Sequence, residues 1–412
     1  MDSGLRSPLM HSRPRIIIND RCLRGPRTGV GHYVAELLEY LPREAPDLDI
    51  YAFYWTCLAR HRSHSPAPDQ NHEGKRSPGA ANASLGAAQP AGRTASLGRR
   101  PPWWLRRAAL SLYNAAFRWT GQLKGCRLYH EPNHIPAPWP GPIVTTIHDL
   151  SVLRHPEWHP ADRVRWYAND LQAGLERTSL FITVSEFTRQ EMIALTNLPA
   201  DRITVIPLGV REVFHPRPAK DVNAWLVGNH LPEEYLLYAG TIEPRKNVAG
   251  LLAAYARLPQ SLRRQVPLLL VGVAGWGRQI VDEWIDRHAL RSQVRLLGYV
   301  DDEVLARLYA GARALVWPTL YEGFGLPPLE CMACGTPVIT SRLAALPEVA
   351  GQAALLVDPQ DEDQLGEAMA RILQDRPLAE ALRSAGLTRA ARFTWSQCAS
   401  GHADLYRRML RE

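Results

Sequence analysis

The sequence contains no run of eighteen or more consecutive apolar residues, which argues against a membrane-spanning helix. The opening stretch MDSGLRSPLMHSRPR also lacks the apolar core of a secretory signal peptide. From these two absences we predict a cytoplasmic protein, and a peripheral contact with the membrane is considered below.

Cysteine is scarce, with 6 residues scattered among 412. A chain of this length can build its own core, so no disulfide framework is expected. Cys331 and Cys334 have the spacing of half a metal site, but no second ligand pair accompanies them. We therefore expect both to pack against a sheet from a helix.

Most of the chain has no excess of positive charge. The whole excess is concentrated in one segment. The net charge is +7, and residues 60–107 alone carry nine Lys or Arg against Asp69 and Glu73. Because the remainder is balanced, a general nucleic-acid-binding surface is excluded. Residues 60–100 are rich in Ser, Pro, Gly and Ala without periodicity, which predicts a disordered basic insertion.

The regular pattern that is present is an alternation of strand-like and helical stretches. With 46% apolar and 22% charged residues, the chain has the composition of a globular protein large enough for two domains. This alternation predicts an α/β fold of two doubly wound, Rossmann-like domains that face each other across a cleft. Strands are predicted at residues 15–19, 50–55, 127–130, 143–148, 180–185, 203–207, 235–240, 267–272, 294–298, 314–318, 337–340 and 354–358.

The pattern restarts after a Pro-containing linker near residues 213–221, which sets the predicted domain boundary. The N-terminal domain is expected to span residues 1–212 and the C-terminal domain residues 213–395. The last stretch, 396–412, is predicted to be a helix that packs back across the linker.

The segment YAGTIEPRKN contains two adjacent cations in a loop between a strand and a helix. The strand ends at Gly240, and Arg245 and Lys246 precede a helix that opens at Asn247. Cations beside a helix N-terminus suit a diphosphate, because the helix dipole and free amides add to their charge. The alternative is that both side chains are solvated at the end of a loop.

A second segment places two glutamates around a strand-to-helix loop. Glu322 lies on the loop, Gly323 and Gly325 permit close backbone approach, and Pro327 suits the first turn of a helix. Glu330 follows about one helical turn further on. Taken singly, Glu322 would be interpreted as a solvated loop carboxylate and Glu330 as a member of a buried ion pair.

These segments together resemble the family 4 glycosyltransferases, also called group 1, which are retaining enzymes of GT-B fold. The pattern of two glutamates separated by seven residues is similar to the donor motif of that family, and the surrounding segments GTIEPRKN, LLGYV, PEV and LLVDP occur in the family's order. The resemblance implies that Glu330 holds the ribose hydroxyls, Glu322 touches the transferred sugar, and Arg245 and Lys246 bind the diphosphate. It also implies further donor contacts at Gly240, Tyr299, Val300, Gly323, Phe324, Gly325 and Leu326.

The N-terminal domain offers weaker signals at strand ends. Gly29-Val30-Gly31 opens a helix and resembles the family's glycine-rich loop, so Gly29 and Gly31 are assigned to the donor site, with an ordinary tight turn as the alternative. His148 ends a strand, and the resemblance implies that it approaches the donor sugar, whereas a strand-end histidine alone is more often structural. His130-Glu131 is a further candidate for acceptor contact, and Ser185 has no assigned role.

The segment 99–124 interleaves aromatic residues with Arg and Lys. Trp103, Trp104, Phe117 and Trp119 give it an apolar face suited to an anionic membrane, but the same residues suit the core side of a domain helix. The sequence leaves both alternatives open.

The resemblance predicts a retaining hexosyltransferase that moves mannose from GDP-mannose to a growing, lipid-linked surface polysaccharide such as lipopolysaccharide. Another donor sugar (glucose, galactose, rhamnose or an N-acetylhexosamine) and a catalytically silent nucleotide-sugar-binding protein are the alternatives. Neither glutamate segment nor the Arg245-Lys246 loop contains the Asp-x-Asp metal clamp of another glycosyltransferase fold. No metal or other cofactor is therefore expected, and the partners are the nucleotide sugar and a glycan acceptor.

Overall fold

A computed structural model describes residues 13–23, 29–54, 57–60, 103–273, 275 and 278–411. The predicted disordered insertion at 60–100 lies outside these residues, apart from residue 60 at the end of a strand.

The N-terminal half contains a seven-stranded sheet in the order β3-β2-β1-β4-β5-β6-β7. Its strands are β1 (Arg15–Ile18), β2 (Asp49–Tyr54), β3 (Cys57–Arg60), β4 (Leu128–Glu131), β5 (Ile143–Ile147), β6 (Leu180–Thr183) and β7 (Ile203–Val205). All pairings are parallel except that of β2 with the edge strand β3. The sequence predicted every strand of this sheet but β3.

The C-terminal half contains a six-stranded, parallel sheet in the order β10-β9-β8-β11-β12-β13. Its strands are β8 (Leu236–Ala239), β9 (Leu268–Val271), β10 (Val294–Gly298), β11 (Ala314–Trp317), β12 (Val338–Ser341) and β13 (Leu355–Val357). The α/β prediction is confirmed, and so is each predicted strand of this sheet, to within two residues at either end.

Helices connect the strands of both sheets. Their bounds are α1 (Gly29–Glu44), α2 (Trp103–Leu123), α3 (Ser151–Arg154), α4 (Ala161–Arg177), α5 (Glu186–Thr196), α6 (Ala219–Gly228), α7 (Val248–Ala256), α8 (Gln260–Gln265), α9 (Arg278–Arg287), α10 (Asp302–Gly311), α11 (Leu326–Ala333), α12 (Leu346–Ala350), α13 (Glu362–Gln374), α14 (Arg376–Ala390) and α15 (Trp395–Arg411). None of those in the described part of the chain has the length and apolarity needed to cross a bilayer.

The central strands are buried on both faces, which explains their unbroken apolar sequences. Ile16, Ile17 and Ile18 of β1 are fully buried, and β8, β9 and β11 are buried along their whole length. Parallel sheets covered by helices on both sides require such runs, since no strand face meets water.

Helix α2 packs into the core with one apolar face, and a second apolar face is exposed. Phe117 is fully buried and packs edge-to-face on Phe53, at 5.1 Å between ring centroids. Leu112, Trp119 and Leu123, in contrast, are exposed by 73%, 66% and 65%. Both alternatives left open by the sequence therefore have residues to support them, although the side chains of Trp103 and Trp104 lie outside the described part.

The two halves are joined twice, and the two connections pair with each other. The Val210 amide donates to the Phe393 carbonyl, and Val210 forms a parallel bridge with Thr394. Gly209 is required at this crossing, because a Cβ atom there would meet the Trp395 nitrogen at 2.3 Å. After the crossing, α15 packs on α1 of the N-terminal half, where Ser396 and Ser400 donate to Glu44.

Candidate active site

Each sheet has a topological switch point, at which the strand order reverses. The predicted cations and Glu322 follow the two strands on either side of the switch point in the second sheet. In the second sheet the order reverses between β8 and β11. Arg245 and Lys246 follow β8, and Glu322 follows β11. Ligands of open parallel sheets bind at such crevices, beyond the carboxyl ends of the strands.

Glu322 is held between the two cations. Arg245 Nη1 lies 3.1 Å from Glu322 Oε1, and Lys246 Nζ forms an ion pair with the same oxygen. Lys246 also lies 4.7 Å above the centre of the Trp317 ring, and Arg245 Nε pairs with Glu243 Oε1 at 2.7 Å. Arg245, Lys246 and Glu322 are thus in direct contact, and the solvated alternatives are wrong for all three, since each side chain is largely buried.

Burial and mutual attraction act in opposite directions on the two cations. Burial lowers the pKa of Lys246, with a further lowering by the neighbouring Arg245, against the attraction of Glu322 and Glu243. Burial also opposes the charge of Arg245, but Glu322, Asp149 and Glu243 together raise its pKa. Arg245 therefore keeps its positive charge, whereas the positive charge of Lys246 depends on its carboxylate neighbours.

The loop after Glu322 leads directly into helix α11. Gly325 caps this helix with φ of 116°, a left-handed conformation that glycine adopts without strain. Leu326 opens the helix and Pro327 occupies its first turn, as predicted. Phe324 is buried against Phe393, at 5.9 Å between ring centroids. Because Pro327 and Pro328 have no backbone N–H, Leu326 is the only one of the first three helical residues that can offer an amide donor here.

At Gly323 the two halves approach each other closely. A Cβ atom at this position would meet the His148 carbonyl oxygen at 1.8 Å. The Gly323 carbonyl accepts hydrogen bonds from Ser185 Oγ at 2.6 Å and from Thr188 Oγ1 at 3.2 Å. Ser185, for which no role was predicted, thus attaches the glutamate loop to the N-terminal half.

His148 directly follows β5, and one of its ring nitrogens is already hydrogen-bonded. Its Nε2 donates to the Pro132 carbonyl at 2.8 Å, which leaves Nδ1 without the proton. Burial lowers the pKa of His148, against the raising effects of that carbonyl and of Asp149. The Tyr33 ring packs edge-to-face against it at 4.9 Å. The imidazole is therefore neutral and can accept a hydrogen bond at Nδ1.

Glu330 forms a buried ion pair with an arginine that the sequence analysis did not single out. Arg211 Nη2 lies 3.0 Å from Glu330 Oε1, and both side chains are at least nine-tenths buried. Burial raises the pKa of Glu330, and Arg211 opposes that rise. The ion-pair interpretation of Glu330 is thus observed, and the adjacent charges Arg211 and Glu212 within the otherwise apolar run VIPLGVREVF were the available signal for Arg211.

The remaining predicted donor residues lie at the same edge of the second sheet or across from it. Tyr299, directly after β10, is 60% exposed, and Val300 is half-buried. Gly29 and Gly31 lie in the first turn of α1, and nothing lies within 4 Å of a Cβ atom placed at Gly29. Gly240 follows β8 directly. Their contacts with a ligand stay predictions.

The switch point of the first sheet, between β1 and β4, holds a second carboxylate. Asn19 Nδ2 donates to Glu131 Oε2 at 2.7 Å, and the Asn133 amide donates to Oε1 at 3.0 Å. Burial raises the pKa of Glu131 to about 7, despite these donors. A polar cluster at this edge agrees with the placement of an acceptor site there.

Behind His148, buried histidines and tyrosines connect α15 to the sheet. Tyr33 Oη contacts His402 Nε2 at 2.7 Å and Thr146 Oγ1 at 2.9 Å, and Tyr406 Oη contacts His130 Nδ1 at 2.6 Å. Burial lowers the pKa of His402 to about 4. His130, which the sequence offered for acceptor contact, is fully buried in this network instead. That suggestion is wrong, because the network uses both ring nitrogens.

Possible metal ligands do not converge at the site. Asp-x-Asp pairs occur at Asp47–Asp49 and Asp361–Asp363, but these lie at the start of β2 and at the start of α13. No group of three or more His, Cys, Asp or Glu residues in the described part of the chain could hold a metal ion. Cys331 on α11 and Cys334 directly after it are buried in the apolar core, as their packing interpretation predicted.

Comparisons with known proteins cover both halves. Residues 226–389 match the family model described as Glycosyl transferases group 1, and residues 27–212 match the model of Glycosyltransferase Family 4. The chain is 36% identical to the O-antigen chain mannosyltransferase B of Escherichia coli over 398 residues, covering 95% of this chain and 99% of that protein. It is 33% identical over 285 residues to a serotype-specific mannosyltransferase of the same organism, which covers 67% of this chain and 35% of that protein.

Among solved structures, the fold is similar to a sucrose-phosphate synthase from Thermosynechococcus elongatus. The TM-score is 0.73 at 25% sequence identity, with 97% of this chain and 100% of that chain covered.

Proposed function

The chain belongs to the group 1 and family 4 glycosyltransferases, and from this premise we propose that it transfers mannose from GDP-mannose to a growing, lipid-linked surface polysaccharide with retention of anomeric configuration. The choice of mannose is supported by the names of its relatives, an O-antigen chain mannosyltransferase and a serotype-specific mannosyltransferase. Among solved structures, a complex of HepE from Anabaena with UDP and glucose has the same fold, with a TM-score of 0.68 at 16% identity.

The observation that carries the proposal is the contact of Arg245 and Lys246 with one oxygen of Glu322 at the switch point. Two buried cations stabilise a diphosphate leaving group as its charge develops. Glu322 contacts both cations and lies just before the N-terminus of helix α11, where a hexose attached to that diphosphate would be oriented.

In the proposed reaction the bond between sugar C1 and the diphosphate oxygen breaks, and a bond from C1 to an acceptor oxygen forms on the same face. The electron pair of the broken bond stays on the nucleotide, whose charge Arg245 and Lys246 neutralise. The acceptor hydroxyl gives its proton to the departing phosphate oxygen. Neutral His148, with Nδ1 free to accept, orients a sugar hydroxyl from the opposite half.

We propose that this reaction needs no metal ion. Support comes from the charge already present, since Arg245 and Lys246 can supply the compensation that a divalent cation gives in other transferases. Addition of a chelator should leave the turnover rate unchanged. A loss of turnover that Mg²⁺ or Mn²⁺ restores would contradict this part of the proposal.

We propose further that the enzyme works at the cytoplasmic face of a membrane, held by the exposed face of α2. Leu112, Trp119 and Leu123 form an apolar stripe at helical spacing, and exposed Arg118 and Lys124 flank it. Aromatic and aliphatic side chains between cations suit an anionic bilayer. A lipid-linked acceptor would then be presented beside the cleft.

A panel of nucleotide sugars tests the proposed donor. Purified enzyme is incubated with GDP-mannose, UDP-glucose, UDP-galactose, UDP-N-acetylglucosamine and dTDP-rhamnose, and release of nucleoside diphosphate is measured with and without a mannose-terminated lipid-linked acceptor. We expect acceptor-dependent turnover with GDP-mannose. Preference for another donor would overturn the choice of mannose, and binding without turnover for every donor would overturn enzymatic activity.

A further inference from the structure

Arg211 lies in the connection between the two halves and has no part in the reaction described above. The preceding residue, Val210, is fixed to the second connection through the Phe393 carbonyl at 2.9 Å. The Arg211 carbonyl accepts from the Phe214 amide at 3.0 Å, and its guanidinium lies 4.7 Å above the Phe214 ring. Both its backbone and its side chain are thus held in one place.

The Arg211 guanidinium joins three elements that meet at the nucleoside end of the site. Nε and Nη2 donate to Glu330 Oε1 of α11, at 3.3 Å and 3.0 Å. Nη1 donates to Asp302 Oδ2 in the first turn of α10. The same Nη1 lies 3.0 Å from His32 Nδ1 on α1 of the N-terminal half.

The two carboxylate oxygens of Glu330 differ in their contacts with Arg211. Two donors from one planar guanidinium fix the position of Oε1 and hence the plane of the carboxylate. Because neither donor contacts Oε2, that oxygen keeps its lone pairs for other hydrogen-bond donors. Without Arg211, a carboxylate buried to this degree would lose its main compensation for burial.

The charges around Arg211 also identify the part of a nucleotide that suits this end of the cleft. Glu330 and Asp302 carry two negative charges against the one positive charge of Arg211. A net negative cluster repels phosphate and attracts hydroxyl donors, whereas the cations at Arg245 and Lys246 do the reverse. This charge pattern suits a donor with its ribose at Glu330 and its diphosphate at Arg245 and Lys246.

We propose that Arg211 is the positioning residue for ribose recognition, fixing Glu330 through Oε1 so that Oε2 accepts hydrogen bonds from the ribose hydroxyls of the donor nucleotide. This inference rests on the proposed function, together with the assignment of the ribose hydroxyls to Glu330 that the family resemblance implies. Through His32 and Asp302, the same guanidinium makes ribose binding depend on the contact between α1 and α10.

The test measures discrimination between ribose and deoxyribose. Dissociation constants of GDP and 2′-deoxy-GDP are determined by calorimetry for the wild type, Arg211→Gln, Arg211→Lys and Glu330→Gln. A hydrogen bond to a charged group contributes about 1.5–3 kcal/mol, so the wild type should bind GDP roughly 10- to 100-fold more tightly than the deoxy form. The ratio of the two dissociation constants should fall below about 3-fold in Arg211→Gln and Glu330→Gln, because the hydrogen bond to the charged group is weakened or lost.

Arg217→Gln provides the matched control. Arg217 lies in the same connection and pairs with Glu303 of α10 at 2.9 Å, so its loss removes an equivalent ion pair that does not involve Glu330. Its ribose discrimination should equal that of the wild type. Arg211→Lys keeps the positive charge but cannot span three partners, so it should fold even where the glutamine variant does not and still lose most of the discrimination.

The outcomes separate the inference from the function on which it rests. If Glu330→Gln abolishes discrimination while both Arg211 variants keep it, the role of Arg211 is overturned and that of Glu330 stands. If the wild type binds GDP without preferring ribose, the assignment of ribose to Glu330 fails together with the inference. A general loss of GDP affinity in Arg211→Lys at an unchanged ratio would indicate a merely structural role and would also overturn the proposal.

Discussion

At the scale of single residues, the two glutamates perform different tasks because their partners differ. Glu322 is shared by a lysine and an arginine beside the first turn of α11, while Glu330 is paired with an arginine from the interdomain connection. The sequence predicted that both face one ligand. It could not predict Arg211, because that contact joins residues separated by 119 positions.

The first prediction separates these tasks kinetically. Glu322→Gln should lower kcat roughly 100-fold with little change in donor KM, because it disturbs the cations that stabilise the leaving group. Glu330→Gln should raise donor KM about 10-fold with a smaller effect on kcat. Steady-state kinetics with GDP-mannose measure both constants. Glu362→Gln, which breaks an ion pair with Arg257 in another part of the second half, is the control and should change neither.

The second prediction concerns the close approach at Gly323. Gly323→Ala should reduce turnover by more than about 10-fold. Its Cβ atom would lie 1.8 Å from the His148 carbonyl oxygen, so the two halves of the site would have to move apart. Gly228→Ala is the matched control, since nothing lies within 4 Å of a Cβ atom there and alanine favours the helix by about 0.5–1 kcal/mol. Turnover and Tm of both variants are compared with the wild type. Full activity in Gly323→Ala would show that the two halves need not touch at this glycine.

At the scale of elements, periodicity predicted the strands well and the surroundings of α2 poorly. Strands β8, β9 and β11 are buried, unbroken apolar runs, so their existence follows from the local sequence alone. Helix α2 has apolar residues on two faces, and only the position of Phe53 and Tyr129 in the folded sheet decides that Phe117 is covered while Trp119 is not. The edge strand β3 was missed because its apolar run is short and adjoins the basic segment.

The third prediction tests the exposed face of α2. Replacement of Leu112, Trp119 and Leu123 by Ser should reduce flotation with anionic liposomes at least about 10-fold, since roughly 2 kcal/mol of apolar burial is lost for each large side chain. Trp166→Ser, which removes an exposed tryptophan from α4, should leave flotation unchanged. Equal flotation of the triple variant and the wild type would refute membrane attachment through this stripe.

The fourth prediction concerns the buried His402 of α15. Its pKa is lowered by burial from an ordinary value of 6.5 to about 4, so at intermediate pH the unfolded chain binds a proton that the folded protein does not. The stability contribution is therefore fully present above about pH 6.5 and is lost as the pH falls towards 4. Glu131, whose raised pKa acts in the opposite direction, is unchanged between the proteins compared.

Urea unfolding at pH 7 and pH 5 measures this effect. Between these values the wild type should lose about 1–2 kcal/mol more free energy of unfolding than His402→Gln does. His215→Gln alters an exposed histidine and should behave as the wild type. An identical pH dependence in the wild type and His402→Gln would mean that His402 is protonated in the folded state.

At the scale of the whole molecule, the two sheets bring together residues that local sequence keeps apart. The switch point between β8 and β11 assembles Arg245, Lys246 and Glu322, and the α/β alternation was sufficient to predict such a crevice. The pairing of the two connections at Val210 and Thr394 was not predictable, because nothing in either segment marks the other as its partner. That crossing sets where the halves meet and thus which residues of the first half, His148 among them, reach the donor loop.

The most direct test of the account is the stereochemistry of mannosyl transfer. Purified enzyme is given GDP-α-mannose and a mannose-terminated lipid-linked acceptor, and the new linkage is identified by NMR of its anomeric carbon and proton. The account predicts an α-linked mannose, formed by the wild type and reduced roughly 100-fold by Glu322→Gln. A β-linked product, or equal transfer by the wild type and Glu322→Gln, would contradict it.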